Sequence, residues 1–282
     1  MKLVTFRDSA GEFRPGVLQG ETIVDLLAVD DNLPKSVREI LAAGALGKVA
    51  EVVSSKSPIY AENVSIEAPI PDPQKIVCIG LNYRNHAVES GMAIPEEPVV
   101  FSKYPSSVIG PEQGIVVPSI SKEVDYEAEL VAVIGRRAKN VSENQSADYV
   151  AGYTIGNDVS ARDWQLHKPA GQWLMGKTFD TFAPIGPALV TSDEISDPES
   201  LSIKLRLNGE TMQDSSTSEF IFGISQVVSY LSQVFTLEPG DLIFTGTPPG
   251  VGFARKPPVY LKAGDLCEVD IEGLGVLRNR CV

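Results

Sequence analysis

Residues 125–134, with the sequence DYEAELVAVI, predict a β-strand that carries two glutamates toward the interior of the fold. Side chains alternate between the two faces of a strand, so Glu127 and Glu129 point the same way. Both faces become apolar from Val131 onward, which indicates a buried strand. Two carboxylates at this spacing repel by about 2–4 kcal/mol at an effective dielectric of about 20. We therefore expect a bound cation between them, or a proton on one of them. The alternative is an edge strand whose glutamates face water.

Composition narrows the classes of partner. The chain has 282 residues, enough for one large domain or for a large and a small one. Its formal net charge of −13 argues against nucleic acid and membranes as partners, because both bind basic surfaces. Without a recognisable signal peptide or membrane span, and with three widely spaced cysteines, the chain is predicted to be cytoplasmic.

The proline-rich segment at 68–73 divides the chain, because prolines there disfavour both helix and central strand. Residues 1–67 are predicted to form a small N-terminal α/β domain, and residues 68–282 the catalytic domain. In the first, strands are predicted at 2–6, 13–18 and 22–25, and helices at 34–43 and 47–54.

The second domain is predicted to be rich in strands. Its predicted strands are 76–79, 99–102, 115–117, 126–134, 151–157, 187–190, 202–207, 242–245, 267–271 and 276–282. One helix is predicted to start after Ser142, another near Asp158, and a third covers 224–235. Because strands outnumber helices and do not alternate with them, an α+β, β-rich fold is favoured over a doubly wound sheet.

Asp158 is a third candidate acid, placed where the strand predicted at 151–157 ends. A carboxylate there can meet Glu127 and Glu129 on a neighbouring strand. Three carboxylates form an all-oxygen site, which suits Mg²⁺, Mn²⁺ or Ca²⁺ better than zinc. Such a site leaves about three octahedral positions for water or substrate. Alternatively, Asp158 is a helix N-cap.

His86 and Glu89 are a candidate acid–base pair. They lie three residues apart after the strand predicted at 76–79, so on a helix they share a face. A carboxylate that orients an imidazole raises its basicity and makes it a general base for water. The alternative is a surface histidine with a chance neighbour.

Lys177 stands in GQWLMGKT at 171–178, which formally matches the P-loop pattern. The bulky loop interior and the missing flanking strand and helix argue against a nucleotide site. Beside an acidic metal site, a lysine can stabilise an enolate oxygen or bind a substrate carboxylate. The alternative is a solvated surface lysine. Thr247, in the loop 246–252, is either a donor in a pocket wall or part of a turn.

Five ordered motifs resemble the fumarylacetoacetate hydrolase (FAH) family, particularly its smaller FAH-domain-containing branch. They are GLNY with His86, then DYEAEL, NDVSARDWQ, GKTFD and TGTPPGVG, spread over about residues 70–282. The resemblance implies a mixed β-sandwich roll and a homodimer. It implies Mg²⁺ or Mn²⁺ on Glu127, Glu129 and Asp158, with Ca²⁺ as a substitute in a crystal.

The same resemblance implies that His86 and Glu89 act as an acid–base pair on a mobile lid. It places Lys177, Gln165 and Thr247 around a small 2-oxo-acid substrate, with Arg162 in support. These roles are expectations from the resemblance to the family.

The predicted function is metal-dependent hydrolysis of a C–C bond in a 2,4-dioxo acid, such as an acylpyruvate, a fumarylpyruvate or a diketo-deoxy sugar acid. His86, steered by Glu89, would activate a water that attacks C4, and the metal and Lys177 would hold the resulting enolate. The alternatives are an oxaloacetate decarboxylase or keto–enol tautomerase at the same site, and a non-enzymatic module with a structural Ca²⁺.

Overall fold

The computed structural model describes residues 1–62 and 64–282, and it shows an α+β fold rich in strands, as predicted. The strands are β1 (Lys2–Arg7), β2 (Phe13–Gln19), β3 (Thr22–Asp25), β4 (Ser65–Glu67), β5 (Ile76–Gly80), β6 (Val99–Lys103), β7 (Val108–Ile109), β8 (Val124–Asp125), β9 (Ala128–Ile134), β10 (Val150–Asn157), β11 (Ser160–Ala161), β12 (Ala183–Thr191), β13 (Ser202–Leu207), β14 (Glu210–Ser216), β15 (Leu242–Phe244), β16 (Leu266–Ile271) and β17 (Gly275–Arg280). The helices are α1 (Leu26–Val29), α2 (Val37–Ala42), α3 (Leu46–Ser55), α4 (Arg84–Glu89), α5 (Glu143–Ser146), α6 (Arg162–His167), α7 (Trp173–Lys177) and α8 (Ile224–Val234).

One large sheet organises the described residues. Its strands follow the order β3-β2-β1-β12-β10-β9-β15-β5-β6, with β4 paired to β1 and β7 paired to β12. A separate four-stranded sheet has the order β14-β13-β16-β17, and β8 pairs with β11. The large sheet brings the ends of β9, β10, β15 and β5 close together, which is where the site forms.

Strand β9 lies in the middle of the large sheet, between β10 and β15. Its alternate residues from Ala128 to Ile134 enter the core under the four-stranded sheet, whereas Val131 and Val133 enter the core on the opposite face. The edge-strand alternative is therefore wrong. The predicted strand is interrupted at Tyr126 and Glu127, because an asparagine side chain replaces the backbone partner there.

The N-terminal strands extend the same sheet. β1 pairs antiparallel with β12 through Leu3 and Leu189. Helix α2 begins at Val37 rather than at the predicted Pro34, because the Ser36 hydroxyl accepts the N–H of Glu39 at 3.1 Å and caps it there. The division into domains at 67/68 stays a prediction.

Three local predictions are changed by the structure. Residues 115–117 form no strand, although Ile115 makes a parallel bridge to Cys281. Helix α5 does begin after Ser142, but that hydroxyl contacts the side chains of Asn144 and Gln145 and caps no backbone N–H. Strand β14 was missed, because its mostly polar residues carry little apolar alternation. In the described residues, no helix has the length and apolarity needed to cross a membrane.

Candidate metal centre and active site

Glu127, Glu129 and Asp158 lie together because the pairing of β9 and β10 continues past the strand ends. Gly156 is opposite Glu129 in the register. Asn157 Oδ1 then accepts the N–H of Glu127 at 3.0 Å, and the N–H of Asp158 donates to the Glu127 carbonyl at 2.9 Å. One oxygen from each carboxylate lies within 4.8 Å of the others, and all three residues are buried. The N-cap alternative for Asp158 is wrong, since another residue caps α6.

Lys177, the last residue of α7, places its ammonium between two of these acids. Nζ donates to Glu127 Oε2 and to Asp158 Oδ2, each at 2.8 Å. Burial alone would lower the pKa of Lys177, but the two carboxylates outweigh burial and raise that pKa above its ordinary value. The surface-lysine alternative is wrong, because the side chain is 2% exposed. An ammonium has three N–H groups, so one remains for a ligand.

Two more buried cations, Lys103 and Arg162, also neutralise the acids. Lys103 Nζ lies 2.6 Å from Asp158 Oδ1. Arg162 Nη2 lies 2.7 Å from Glu127 Oε1 and its Nε lies 2.9 Å from Asp125 Oδ2. Burial opposes the charge of Arg162, yet its two carboxylate partners raise its pKa. Both cations are buried, so their fields act on the acids with little screening by solvent.

Glu129 is the acid that these cations leave uncompensated. Within residues 1–62 and 64–282 its carboxylate forms no ion pair, and it accepts the N–H of Gly246 at 2.7 Å. Burial, with Asp158 and Glu127 nearby, raises the pKa of Glu129 well above its ordinary value. At the site, four buried carboxylates exceed three buried cations by one charge. The carboxylates are those of Asp125, Glu127, Glu129 and Asp158, and the cations are Lys103, Arg162 and Lys177. A divalent cation on these oxygens would remove the cost of burying that charge.

Helix α4 brings His86 to the same cavity and places Glu89 beside it. His86 is 6% exposed, so the surface-histidine alternative is wrong. Its Nδ1 lies 3.5 Å from Glu89 Oε2, and the Glu89 carboxylate accepts the N–H of Gly250 at 3.0 Å. Burial raises the pKa of Glu89, but the adjacent His86, the hydrogen bond from Gly250 and the charge of Arg255 together lower that pKa below its ordinary value. Glu89 is therefore an ionised group that can orient the imidazole.

Gln165 is oriented by its neighbour on α6. Arg162 Nη1 donates to Gln165 Oε1 at 2.9 Å, so the amide N–H₂ group remains for a ligand. Arg162 is held in turn by Asp125, whose Oδ1 accepts the N–H of Gly252 at 2.7 Å. Asp125 therefore ties α6 to the loop 246–252. Asp125 was not among the predicted site residues.

Thr247 is held by Gln213, a residue of β14. Gln213 Nε2 donates to Thr247 Oγ1 at 2.8 Å and to the Pro248 carbonyl at 2.7 Å, while Gln213 Oε1 accepts the N–H of Ala128 at 2.9 Å. Because Thr247 Oγ1 accepts this bond, its own O–H is available to donate to a ligand.

A cavity of about 120 Å³ joins these groups. Seven of the nine predicted site residues line it, and the other two, Glu89 and Asp158, contact residues that do. The apolar part of the wall includes Leu81, Met92, Phe101, Leu166, Trp173 and Phe253. The cavity thus has an acidic, hydrogen-bonding end and an apolar wall.

The residues missed by sequence analysis are Lys103, Asp125 and Gln213. Each acts on partners far away in the chain: Lys103 Nζ bonds carbonyls 56 and 79 residues distant. Such partners leave no local spacing pattern. The one signal in the sequence was Lys103 itself, which directly follows the strand predicted at 99–102. A lysine in that position fits an exposed strand end equally well.

Comparisons with known proteins identify the family. Residues 75–282 match the family described as fumarylacetoacetate (FAA) hydrolase C-terminal. The chain is 53% identical to the "Fumarylacetoacetate hydrolase domain-containing protein 2 homolog" of Dictyostelium discoideum, over 99% of this chain and 96% of that one. It is 48% identical to "Oxaloacetate tautomerase fahd2, mitochondrial" of Xenopus laevis, over 100% and 90%. A solved fumarylacetoacetate hydrolase from psychrophilic Exiguobacterium antarcticum has a TM-score of 0.88 at 35% identity, covering 100% and 99%. The chain therefore belongs to the fumarylacetoacetate hydrolase family.

Proposed function

We propose that this protein is a divalent-metal-dependent enzyme that interconverts the keto and enol forms of oxaloacetate. The observation that carries the proposal is the cavity that holds Glu127, Glu129, Lys177 and His86 together. The relative named as an oxaloacetate tautomerase supports the choice of substrate, because the similarity extends over the whole of this chain.

The acid cluster fits a resident Mg²⁺ or Mn²⁺. Glu127, Glu129 and Asp158 would hold it, since they offer converging carboxylate oxygens and no sulfur or imidazole. When bound, such an ion supplies Lewis acidity toward the oxygens of a 2-oxo acid. The raised pKa of Glu129 supports this fit, because a buried carboxylate with no cationic partner favours either a proton or a cation.

The chain's own groups would move the proton. His86, oriented by Glu89, would take a proton from C3 of the keto acid. Lys177 would donate its remaining N–H to the C2 oxygen as negative charge develops there, and the Gln165 amide would donate to the substrate carboxylate. Return of the proton from His86 to the C2 oxygen gives the enol, so that no atom is gained or lost.

Hydrolysis of a 2,4-dioxo acid, the function first predicted from the sequence, is the second candidate. The apolar wall formed by Phe101, Trp173 and Met92 supports it, since an acyl group would pack there and a second carboxylate would not. In this reaction His86 would deprotonate a water that attacks the C4 carbonyl, after which the C3–C4 bond breaks. Decarboxylation of oxaloacetate would use the same groups.

One experiment separates the three reactions. The purified protein is given oxaloacetate or an acylpyruvate, with Mg²⁺, with Mn²⁺ or with a chelator. The proposal predicts rapid equilibration of enol absorbance with oxaloacetate, no release of CO₂, and loss of the activity on chelation. Release of a carboxylic acid from the acylpyruvate would favour the hydrolase, and release of CO₂ the decarboxylase. Absence of all three signals with either metal would contradict the proposal.

Assembly and location remain predictions. A homodimer is expected from the family, and size-exclusion chromatography with light scattering would test it. The chain is predicted to be cytoplasmic, whereas the Xenopus relative is named as mitochondrial. Fractionation of cells that express the full-length protein would decide between these compartments.

A further inference from the structure

Lys103 reaches from strand β6 to the back of the acid cluster. It is 2% exposed, and its Nζ contacts four oxygens. These are Asp158 Oδ1 at 2.6 Å, the Phe182 carbonyl at 2.8 Å, the Val159 carbonyl at 3.0 Å and the Lys177 carbonyl. The ammonium has three N–H groups and donates to the three carbonyls, with Asp158 Oδ1 in contact as an ion pair, so no N–H group is left for a ligand. Lys103 is also absent from the residues that line the cavity within the described chain.

The four oxygens belong to three separate segments that carry the site. Asp158 and Val159 form the turn between β10 and β11, Lys177 ends α7, and Phe182 precedes β12. Carbonyls at a helix end have no partner within the helix and need one elsewhere. Lys103 donates to the carbonyl of Lys177, and the side chain of Lys177 bridges Glu127 and Asp158.

We propose that Lys103 is a positioning residue for the active site. It holds Asp158 through Oδ1, which turns Oδ2 toward the cluster and Lys177. It also holds the end of α7, which sets where the Lys177 ammonium lies. The inference rests on the proposed function for the roles of Asp158 and Lys177. In this proposal Lys103 does not contact the substrate.

Lys103→Met tests the inference through the sign of its effect on metal affinity. If Lys103 acted only as a charge, its removal would relieve repulsion and tighten the binding of a divalent cation. If it positions Asp158, its removal weakens binding, by about 10–100-fold as for other groups that orient metal ligands. We expect the weakening, measured as the Kd of Mn²⁺ by calorimetric titration of the full chain without substrate. Unchanged or tighter binding would overturn the proposal.

Lys75→Met is the matched control. Lys75 Nζ lies 2.9 Å from Asp241 Oδ2, and Asp241 is fully buried but lies outside the site. This variant also removes the lysine partner of a buried aspartate, so it controls for that loss at a place outside the site. We expect its Kd for Mn²⁺ to equal that of the wild type. An equal weakening in both variants would show that Lys103 is merely structural.

Kinetics add a second readout. We expect Lys103→Met to lower kcat for oxaloacetate by displacing Lys177. In a protein that already carries Lys177→Met, adding Lys103→Met should lower kcat little further. Full additivity of the two losses would contradict an action through Lys177. If the protein proves inactive toward oxaloacetate, the proposed function fails, whereas the metal titration still decides the role of Lys103.

A measurement on the wild type covers the case in which Lys103→Met does not fold. Lys103 and Lys177 are the buried lysines of the described residues, so their ¹⁵N-labelled ammonium groups should exchange slowly with water. Lys177→Met identifies which signal belongs to Lys103. We expect the Lys103 signal to shift when Mg²⁺ is added. A signal that stays in place would overturn the proposal.

Discussion

The acid cluster and helix α4 face the same cavity, but the fold holds them in different ways. Glu129 lies in β9, and Glu127 and Asp158 lie directly beside the paired strands β9 and β10. Buried cations contact Glu127 and Asp158, and the N–H of Gly246 donates to Glu129. Helix α4 has six residues, and its outer side is open, with Val88 66% exposed. Glu89 joins α4 to the loop 246–252 through the N–H of Gly250. The cluster is therefore organised when the protein folds, whereas α4 is docked by few polar contacts.

Because of this difference, the acid cluster and α4 are suited to different roles. A group that must hold a cation in fixed geometry belongs in the rigid cluster. A group that gains and loses a proton, and lets substrate pass, belongs on an element that can move at small cost. Substitutions in the cluster should therefore abolish binding of the metal ion. Substitutions in α4 should slow proton transfer but leave binding of the metal ion unchanged.

Asp158→Asn should have the largest effect. The amide keeps the shape of the side chain but removes one charged ligand and the partner of Lys103 and Lys177. We expect kcat/KM for oxaloacetate to fall by about 10³-fold, in line with the loss of a central electrostatic group, together with loss of Mn²⁺ binding. Enol absorbance and calorimetric titration measure the two effects. Asp148→Asn, at an exposed aspartate that does not line the cavity, is the control, and a similar loss there would discredit the interpretation.

Glu89→Gln should have the next largest effect and a different character. We expect kcat to fall by about 10²-fold, because the imidazole loses its orienting carboxylate but stays in place. The affinity for Mn²⁺ should stay at the wild-type value. Unchanged turnover would remove Glu89 from the mechanism, and a weakened metal affinity would erase the distinction between α4 and the cluster. Glu96→Gln, at an exposed glutamate, serves as the control.

Trp173→Ala should change specificity rather than rate. The Trp173 ring lies 5.4 Å from the Phe101 ring and against Gly80, where an added Cβ would come within 2.6 Å of the indole. Its removal enlarges the apolar wall. We expect the ratio of kcat/KM for a bulky 2,4-dioxo acid to that for oxaloacetate to rise by about tenfold. Trp164→Ala removes the other tryptophan, which does not line the cavity, and should leave this ratio unchanged.

The smallest effect should be the pH dependence that Glu89 gives to stability. Its pKa in the folded protein lies below the ordinary value of 4.5, so its contribution is complete above about pH 4.5 and is lost as the pH falls through the folded value. The difference in unfolding free energy between the wild type and Glu89→Gln should be constant from neutral pH down to about 4.5, and should shrink below that. A difference that grows on acidification would show the opposite shift.

Sequence reasoning succeeded where local pattern determines local structure. Apolar alternation located β9, and α4 supplies the helix on which the spacing of His86 and Glu89 brings them to one face. It failed where neighbours from distant segments decide the outcome. The break at Tyr126 and Glu127 depends on the Asn157 side chain, and β14 depends on its place beside β13 rather than on its own polar residues.

By itself, the sequence determined a strand-rich α+β fold, the buried strand that carries Glu129 directly after Glu127, and the residue types of a hard metal site. These follow from side-chain alternation and from the chemistry of carboxylates, which are both local properties. The tertiary structure alone decided that Lys103 contacts Asp158, that Asp125 holds Arg162 and that Gln213 holds Thr247. It also decided that Glu129 has no cationic partner among residues 1–62 and 64–282. The physical reason is that burial and charge pairing depend on which segments meet in space, and the register between β9 and β10 sets that meeting.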